Sequence, residues 1–270
     1  MPTGRKLIAE IGSFSADAGR FAFWWLGQHG FALKFRSAVV YVDAYLSPSK
    51  ARRVPPLLEP GEVTNATLFL GTHDHSDHID RRSWPEMAKA SPGAMFVSPS
   101  LLLPALADEL GIDPARFVGL DDGESAEVAG LRVSAVAAAH ERLSPDPATG
   151  KHPFLGYIIE SDGFAVYHAG DTCRYEGLLG RLSRWRLDLA FLPINGRDAR
   201  RLRSNCIGNM TYQEAADLAG ELEPGLTVPA HYEMFAGNSE DVGLFLDYMA
   251  VKYPHLAALA PEHGEKVVRP

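Results

Sequence analysis

The chain has 270 residues, 46% of them apolar and 22% charged, with a formal net charge of −8. That length sits near the upper edge of what one core supports, so a single domain over residues 1–270 is expected. The acid excess argues against nucleic acid as a partner, because phosphate neutralisation needs a basic surface. No apolar run approaches the roughly 20 residues that cross a bilayer, so no membrane partner is expected either.

Two cysteines, Cys173 and Cys206, are too few for a disulfide framework. Residues 1–10 lack the apolar stretch of a secretion signal. Both point to the cytoplasm, and a homo-oligomer stays open.

In chain order, residues 21–26 and 31–35 read as apolar strands joined by Gly27-Gln28-His29-Gly30, a connection suited to a hairpin. Strand alternation puts the rings of Trp24 and Trp25 on opposite faces. Residues 38–44 form a third strand ending at Asp43, and residues 67–70 a fourth. A helix is expected from Ser83, with Pro85 in its first turn and Glu86 completing a capping box. Then come a strand at 95–97, a helix at 101–110 and short strands between 117 and 138, broken by Asp121-Asp122-Gly123 and Gly130. Strands follow at 154–160, 164–167 and 187–192. A helix at 211–222 opens on a second capping box, Thr211 with Glu214. A strand at 226–229, a helix over about 240–253 and a strand at 266–269 complete the order. Blocks of strands with interspersed helices fit two face-to-face sheets with helices outside.

Residues 73–78 read His-Asp-His-Ser-Asp-His. Three imidazoles and two carboxylates in six positions cannot all be satisfied inside an apolar core, but a tight turn can fan such side chains around divalent cations. The further ligands should stand at strand ends, and His140, Asp171 and His231 do. Each alone is more often an ordinary polar residue; together with the hexapeptide they form a set. The bland alternative for the hexapeptide is a solvated polar loop.

In these positions, with Asp43 upstream, the chain resembles the metallo-β-lactamase superfamily. The resemblance implies an α+β fold, a four-layer αββα sandwich of two mixed sheets with helices on the outer faces. It also implies that His73, His75 and His140 hold one cation and Asp77, His78 and His231 a second. Asp171 would bridge the two, and Asp43 would brace the ligand loop from behind. The segments Trp24-Trp25-Leu26-Gly27, 72–80, Tyr167-His168-Ala169-Gly170-Asp171 and Asn209-Met210-Thr211 resemble the L-ascorbate-6-phosphate lactonases and related metal-dependent hydrolases. The long insertions of those lactonases are missing, and Cys173 stands where a histidine is expected.

The implied activity is opening of a sugar-acid lactone, phosphorylated as in L-ascorbate 6-phosphate, by water activated between two cations. Asp77 or Asp171 would carry the proton. Imidazole-rich ligation favours Zn²⁺, the carboxylates admit Mn²⁺, and Fe²⁺ is the less favoured choice. The alternatives are a phosphodiesterase acting on a nucleotide or phospholipid head group and, more remotely, a di-iron redox protein. The partner is expected to be a small anionic molecule. Substrate contacts are sought at Asn195, Arg197, Tyr232 and His29. Against the last three stands a plain reading: a solvated loop arginine, a tyrosine that only orients His231, a simple turn histidine.

Overall fold

A computed structural model describes residues 1–17 and 19–269. The chain runs through α1 (Gly4–Ser13), β1 (Phe21–Gly27), β2 (Gly30–Lys34), β3 (Val39–Val42), β4 (Leu68–Leu70), α2 (Trp84–Ala90), β5 (Met95–Pro99), α3 (Leu103–Leu110), β6 (Phe117–Leu120), β7 (Ser125–Val128) and β8 (Leu131–Ala137). It continues through β9 (Leu155–Ser161), β10 (Phe164–His168), α4 (Leu178–Leu182), β11 (Leu189–Pro193), α5 (Ala199–Arg203), α6 (Tyr212–Leu222), β12 (Thr227–Ala230), α7 (Val242–Lys252) and β13 (Lys266–Arg269).

One sheet has the strand order β13-β1-β2-β3-β4-β5-β6 and the other β12-β11-β10-β9-β8-β7. Both are mixed: β1, β2 and β3 pair antiparallel and β3 to β6 parallel, while β7 to β10 pair antiparallel and β10 to β12 parallel. Alternation along β1 explains the layering. Phe21, Phe23 and Trp25 join the core between the sheets, where Phe31 stacks on Phe191 of β11 at 3.8 Å. Ala22, Trp24 and Leu26 face the other way, into a core shared with Leu7 and Ile11 of α1 and Trp84 and Met87 of α2. Covered on both sides, β1 is an unbroken apolar run, as buried strands are. On the far side, Leu178 of α4, Ala215 and Leu218 of α6 and Phe245 of α7 cover the second sheet. The four-layer αββα sandwich is therefore the observed fold.

Three helices were not anticipated from the sequence. Leu7 and Ile11 give α1 a one-sided apolar face, but its Gly4 start carries no side-chain cap. The other two, α4 and α5, are five residues each, below the length at which periodicity speaks. The capping box of α6 is present, with Thr211 Oγ1 accepting from the Glu214 N–H. That of α2 is not: Ser83 makes no side-chain cap and donates its hydroxyl to Asp80 instead, at 2.7 Å. Among the described residues no helix is long and apolar enough to cross a membrane.

Asp80 explains the exchange. It is buried and accepts from the backbone N–H of Leu46 and Ser47 and from the hydroxyls of Ser47 and Ser83, at 2.6–2.9 Å. One carboxylate thus ties the C-terminal end of the ligand turn to the chain leaving β3. Asp80→Ala is expected to lower unfolding stability by about 2–4 kcal/mol in denaturant titrations, since four donors lose a charged acceptor in a closed space.

Candidate metal centre

The ligand turn leaves β4 at one edge of the sandwich. His73, His75, His140 and Asp171 bring one nitrogen or oxygen each within 4.8 Å of one another, and so do Asp77, His78 and His231. Asp171 stands between the two groups. Its Oδ2 faces His140 Nε2 at 3.4 Å and His73 Nε2 at 4.0 Å. Its Oδ1 faces His231 Nε2 at 3.2 Å and His78 Nε2 at 3.3 Å. One carboxylate oxygen thus faces each histidine group.

Backbone detail makes this convergence possible. Gly170 takes a φ of +59°, and a Cβ there would lie 2.6 Å from the Leu155 carbonyl oxygen and 3.0 Å from Thr72 Cβ. A side chain would therefore push Asp171 off the ligand turn. Next to it, Thr172 Oγ1 accepts from the Ala139 N–H and the Cys173 N–H donates to the Ala139 carbonyl, at 3.0 and 2.7 Å. Those two bonds hold the segment that carries His140. Cys173 itself is buried and lies off the cavity, its Sγ 3.9 Å from the Gly208 carbonyl oxygen.

Asp43 fixes which imidazole nitrogens are free. It is fully buried and accepts from the Thr72 N–H (2.9 Å), the Thr72 hydroxyl (2.7 Å) and His78 Nδ1 (2.6 Å). With the Thr72 proton given to Asp43, Thr72 Oγ1 can only accept from His73 Nδ1, 3.0 Å away. Both rings therefore carry a proton on Nδ1 and turn Nε2 toward Asp171. His73 Nε2 and His75 Nδ1 lie 2.9 Å apart.

Electrostatics agree. Burial, then the neighbouring His78, holds His73 well below its usual range, and burial, then His140, lowers His75. Burial pushes the Asp77 and Asp171 carboxyls up, but the surrounding His78 and His231 outweigh it and both end below their ordinary values. His78 is the exception: burial would lower it, yet Asp171, Asp43 and Asp77 hold it up to about 10. The buried His78 Nε2 and Asp171 Oδ1 have no hydrogen-bond partner. Orphaned polar atoms at the centre of a cluster of bases and carboxylates fit a bound cation.

Sequence reasoning missed Gln28. In a left-handed conformation at the β1–β2 turn (φ 54°), it accepts the His231 N–H on its carbonyl and donates Nε2 to Asp77 at 2.9 Å. Its place in a glycine-flanked turn was visible; its reach to the cluster was not. Asp74, inside the hexapeptide, points outward and pairs with Arg81.

A cavity of about 480 Å³ opens over the cluster. His75, Asp77, His140, Asp171 and His231 form its floor, and Phe154, Asn205, Cys206, Ile207 and Asn238 its walls. A larger hollow of about 660 Å³ lies on the outer side of the ligand turn, around Lys50, Asp74 and Arg82, and holds none of the inward ligands. The four residues nominated for substrate contact are not on the cavity wall. His29 is fully buried beneath the cluster, packed against His168 at 4.2 Å between ring centres, and burial lowers it to about 4. Tyr232 turns away to stack on Trp25 at 4.8 Å. Arg197 gives both terminal nitrogens to Glu214, at 2.7 and 2.5 Å. Asn195 is buried one layer back, with Nδ2 2.6 Å from Asn238 Oδ1.

The Beta-lactamase superfamily domain matches residues 39–232, which include His73, His75, Asp77, His78, His140, Asp171 and His231. A UPF0173 metal-dependent hydrolase from Sulfolobus acidocaldarius is 31% identical over 64% of this chain and 71% of its own length. The chain belongs to the metallo-β-lactamase superfamily, in the UPF0173 family. Another member of that family, from Polynucleobacter asymbioticus, is 28% identical over 96% of this chain and 91% of its own. Igni18, a metallo hydrolase from Ignicoccus hospitalis, superposes with a TM-score of 0.71 at 23% identity, over 93% of this chain and 99% of its own, a likeness of fold. The narrower likeness to ascorbate-6-phosphate lactonases is not among these matches.

Two outcomes follow for cation binding. Because His78 is held up to about 10 by its carboxylates, a cation at its Nε2 must displace a proton at neutral pH. Apparent affinity is expected to rise about tenfold per pH unit between pH 6 and 8, with proton release seen by calorimetry in buffers of different ionisation enthalpy. Asp43→Ala is expected to weaken affinity about 10–100-fold in chelator competition.

Proposed function

We propose that this protein is a dinuclear metal hydrolase acting on a small electrophile, with a lactone as the leading substrate class. The observation that carries this reading is Asp171, whose two oxygens each face a separate histidine group. In it, His73, His75 and His140 hold one cation, Asp77, His78 and His231 the other, and Asp171 both. A cation pair bound there would supply an activated water and polarise the oxygen that gains charge. The imidazole-rich set favours Zn²⁺, and the two carboxylates admit Mn²⁺ or Fe²⁺.

The chain's own groups handle protons and position. Gln28 Nε2 holds Asp77 Oδ2, while among the described residues Asp77 Oδ1 has no protein partner at the cavity floor. Asp77 lies below its ordinary pKa, so it enters as a carboxylate able to take a proton from water and pass it to the leaving oxygen. Ring opening of a lactone needs one such transfer, and the leaving alkoxide stays attached to the product. Asp43 and Thr72 keep the His73 and His78 rings from rotating through the cycle.

Protein reconstituted with Zn²⁺ or Mn²⁺ is expected to bind two cations per chain by elemental analysis and to open lactones in a pH-stat assay. Chelation should abolish turnover and cation addition restore it. Asp171→Asn is expected to lose one cation and at least ~100-fold in kcat/KM. Faster turnover of bis-p-nitrophenyl phosphate than of any lactone would move the assignment to a phosphodiesterase, and turnover indifferent to chelation would overturn it.

A further inference from the structure

The cavity walls carry information about what the site admits. None of the residues lining the cavity is Lys or Arg. Two of the nearby arginines, Arg197 and Arg201, are engaged elsewhere. Arg197 is forked onto Glu214, and Arg201 bonds Asp198, the Ser239 carbonyl and Glu240. A phosphate on the substrate's remote end would lose water without gaining a counter-charge on these walls.

What the walls do offer is neutral. Asn195 is fully buried and donates its Nδ2 to Asn238 Oδ1. With that oxygen occupied, the Asn238 NH₂ is left as a neutral donor on the cavity wall, and the Asn238 N–H to the Phe235 carbonyl (3.0 Å) steadies the residue. Phe154 lies against the ligand rings, 5.1 Å from His140 and 5.2 Å from His73. Ile207 lines the cavity and is 42% exposed, apolar surface that a bound molecule would cover.

We propose that the cavity selects an uncharged carbonyl compound, with the Asn238 amide donating to its oxygen and Phe154 and Ile207 enclosing its apolar part. This rests on the hydrolase reading above and narrows it: a lactone is taken without a phosphate. Asn195 is then a positioning residue, which acts by holding Asn238.

The test uses γ-lactones with a neutral or a phosphorylated side arm and the matching non-hydrolysable lactams, on cation-loaded protein. Neutral lactones are expected to exceed phosphorylated ones at least ~tenfold in kcat/KM, and neutral lactams to bind tighter by calorimetry. A phosphorylated member equal or better in either series would overturn the proposal. Lactams that discriminate as expected beside lactones that never turn over would instead overturn the hydrolase reading and leave the selection standing. Ile207→Lys should move the ratio at least ~tenfold toward the phosphorylated lactone; no movement counts against the charge argument. Asn238→Ala and the isosteric Asn238→Asp are expected to lower kcat about 10–100-fold with cation content unchanged. Asn195→Ala should act in the same direction, and Asn195→Ala/Asn238→Ala should be no slower than Asn238→Ala. Additive losses, or a loss carried by KM alone, would overturn the role given to Asn238.

Discussion

The buried carboxylate of Asp43 is the constraint on which the site depends. It sits at the end of β3 in a left-handed conformation (φ 46°), with no exposure to solvent. From there it draws in the Thr72 N–H, the Thr72 hydroxyl and His78 Nδ1. Those bonds orient the His78 ring and, through Thr72, set the tautomer of His73. A negative charge so enclosed is costly unless fully bonded. The first strands of the fold are thus coupled directly to the chemistry of the ligand turn, and a change of strand register at β3 would displace both.

Much of this frame was legible in the sequence because it is written in local patterns. The hexapeptide 73–78 concentrates its signal in six adjacent positions, and the apolar runs of β1, β2 and β3 are bounded by turn residues. His140, Asp171 and His231 could be proposed since each follows a strand, where functional side chains often gather, and Asp43 through the resemblance to the metallo-β-lactamase superfamily. What escaped were interactions set by tertiary approach. Ser83 looks like a helix cap, yet the buried Asp80 outbids the helix for its hydroxyl. Gln28 reads as a turn residue, and only the packing of the two sheets brings it to Asp77 and His231.

The substrate side was the least legible, for a physical reason. Arg197 is attractive in the linear sequence because a guanidinium after a strand end suits anion binding. Its pairing with Glu214 depends on where α6 begins, and that start is fixed by the Thr211 cap, fourteen residues downstream of Arg197 in sequence. His29 and Tyr232 fail similarly: the first is covered by His168, the second by Trp25. Side chains beside a ligand in sequence need not share its face. The residues that do form the walls, Phe154, Ile207 and Asn238, carry no signature of their own.

The segment that bears α5 and Ile207 is closed at its base. The Gly196 N–H donates to the Met210 carbonyl at 3.0 Å, the Met210 N–H to the Thr172 carbonyl at 3.0 Å, and a Cβ on Gly208 would collide with the Gly196 carbonyl. Between these anchors the chain makes an excursion whose backbone bonds are largely its own, such as the Cys206 N–H to the Arg201 carbonyl. An exchange or lengthening of that excursion would reshape one wall while the fastening at its root kept Asp171 in place. The architecture separates the part that performs a reaction from the part that chooses a molecule, so new appetites can be acquired on a chassis that need not be rebuilt.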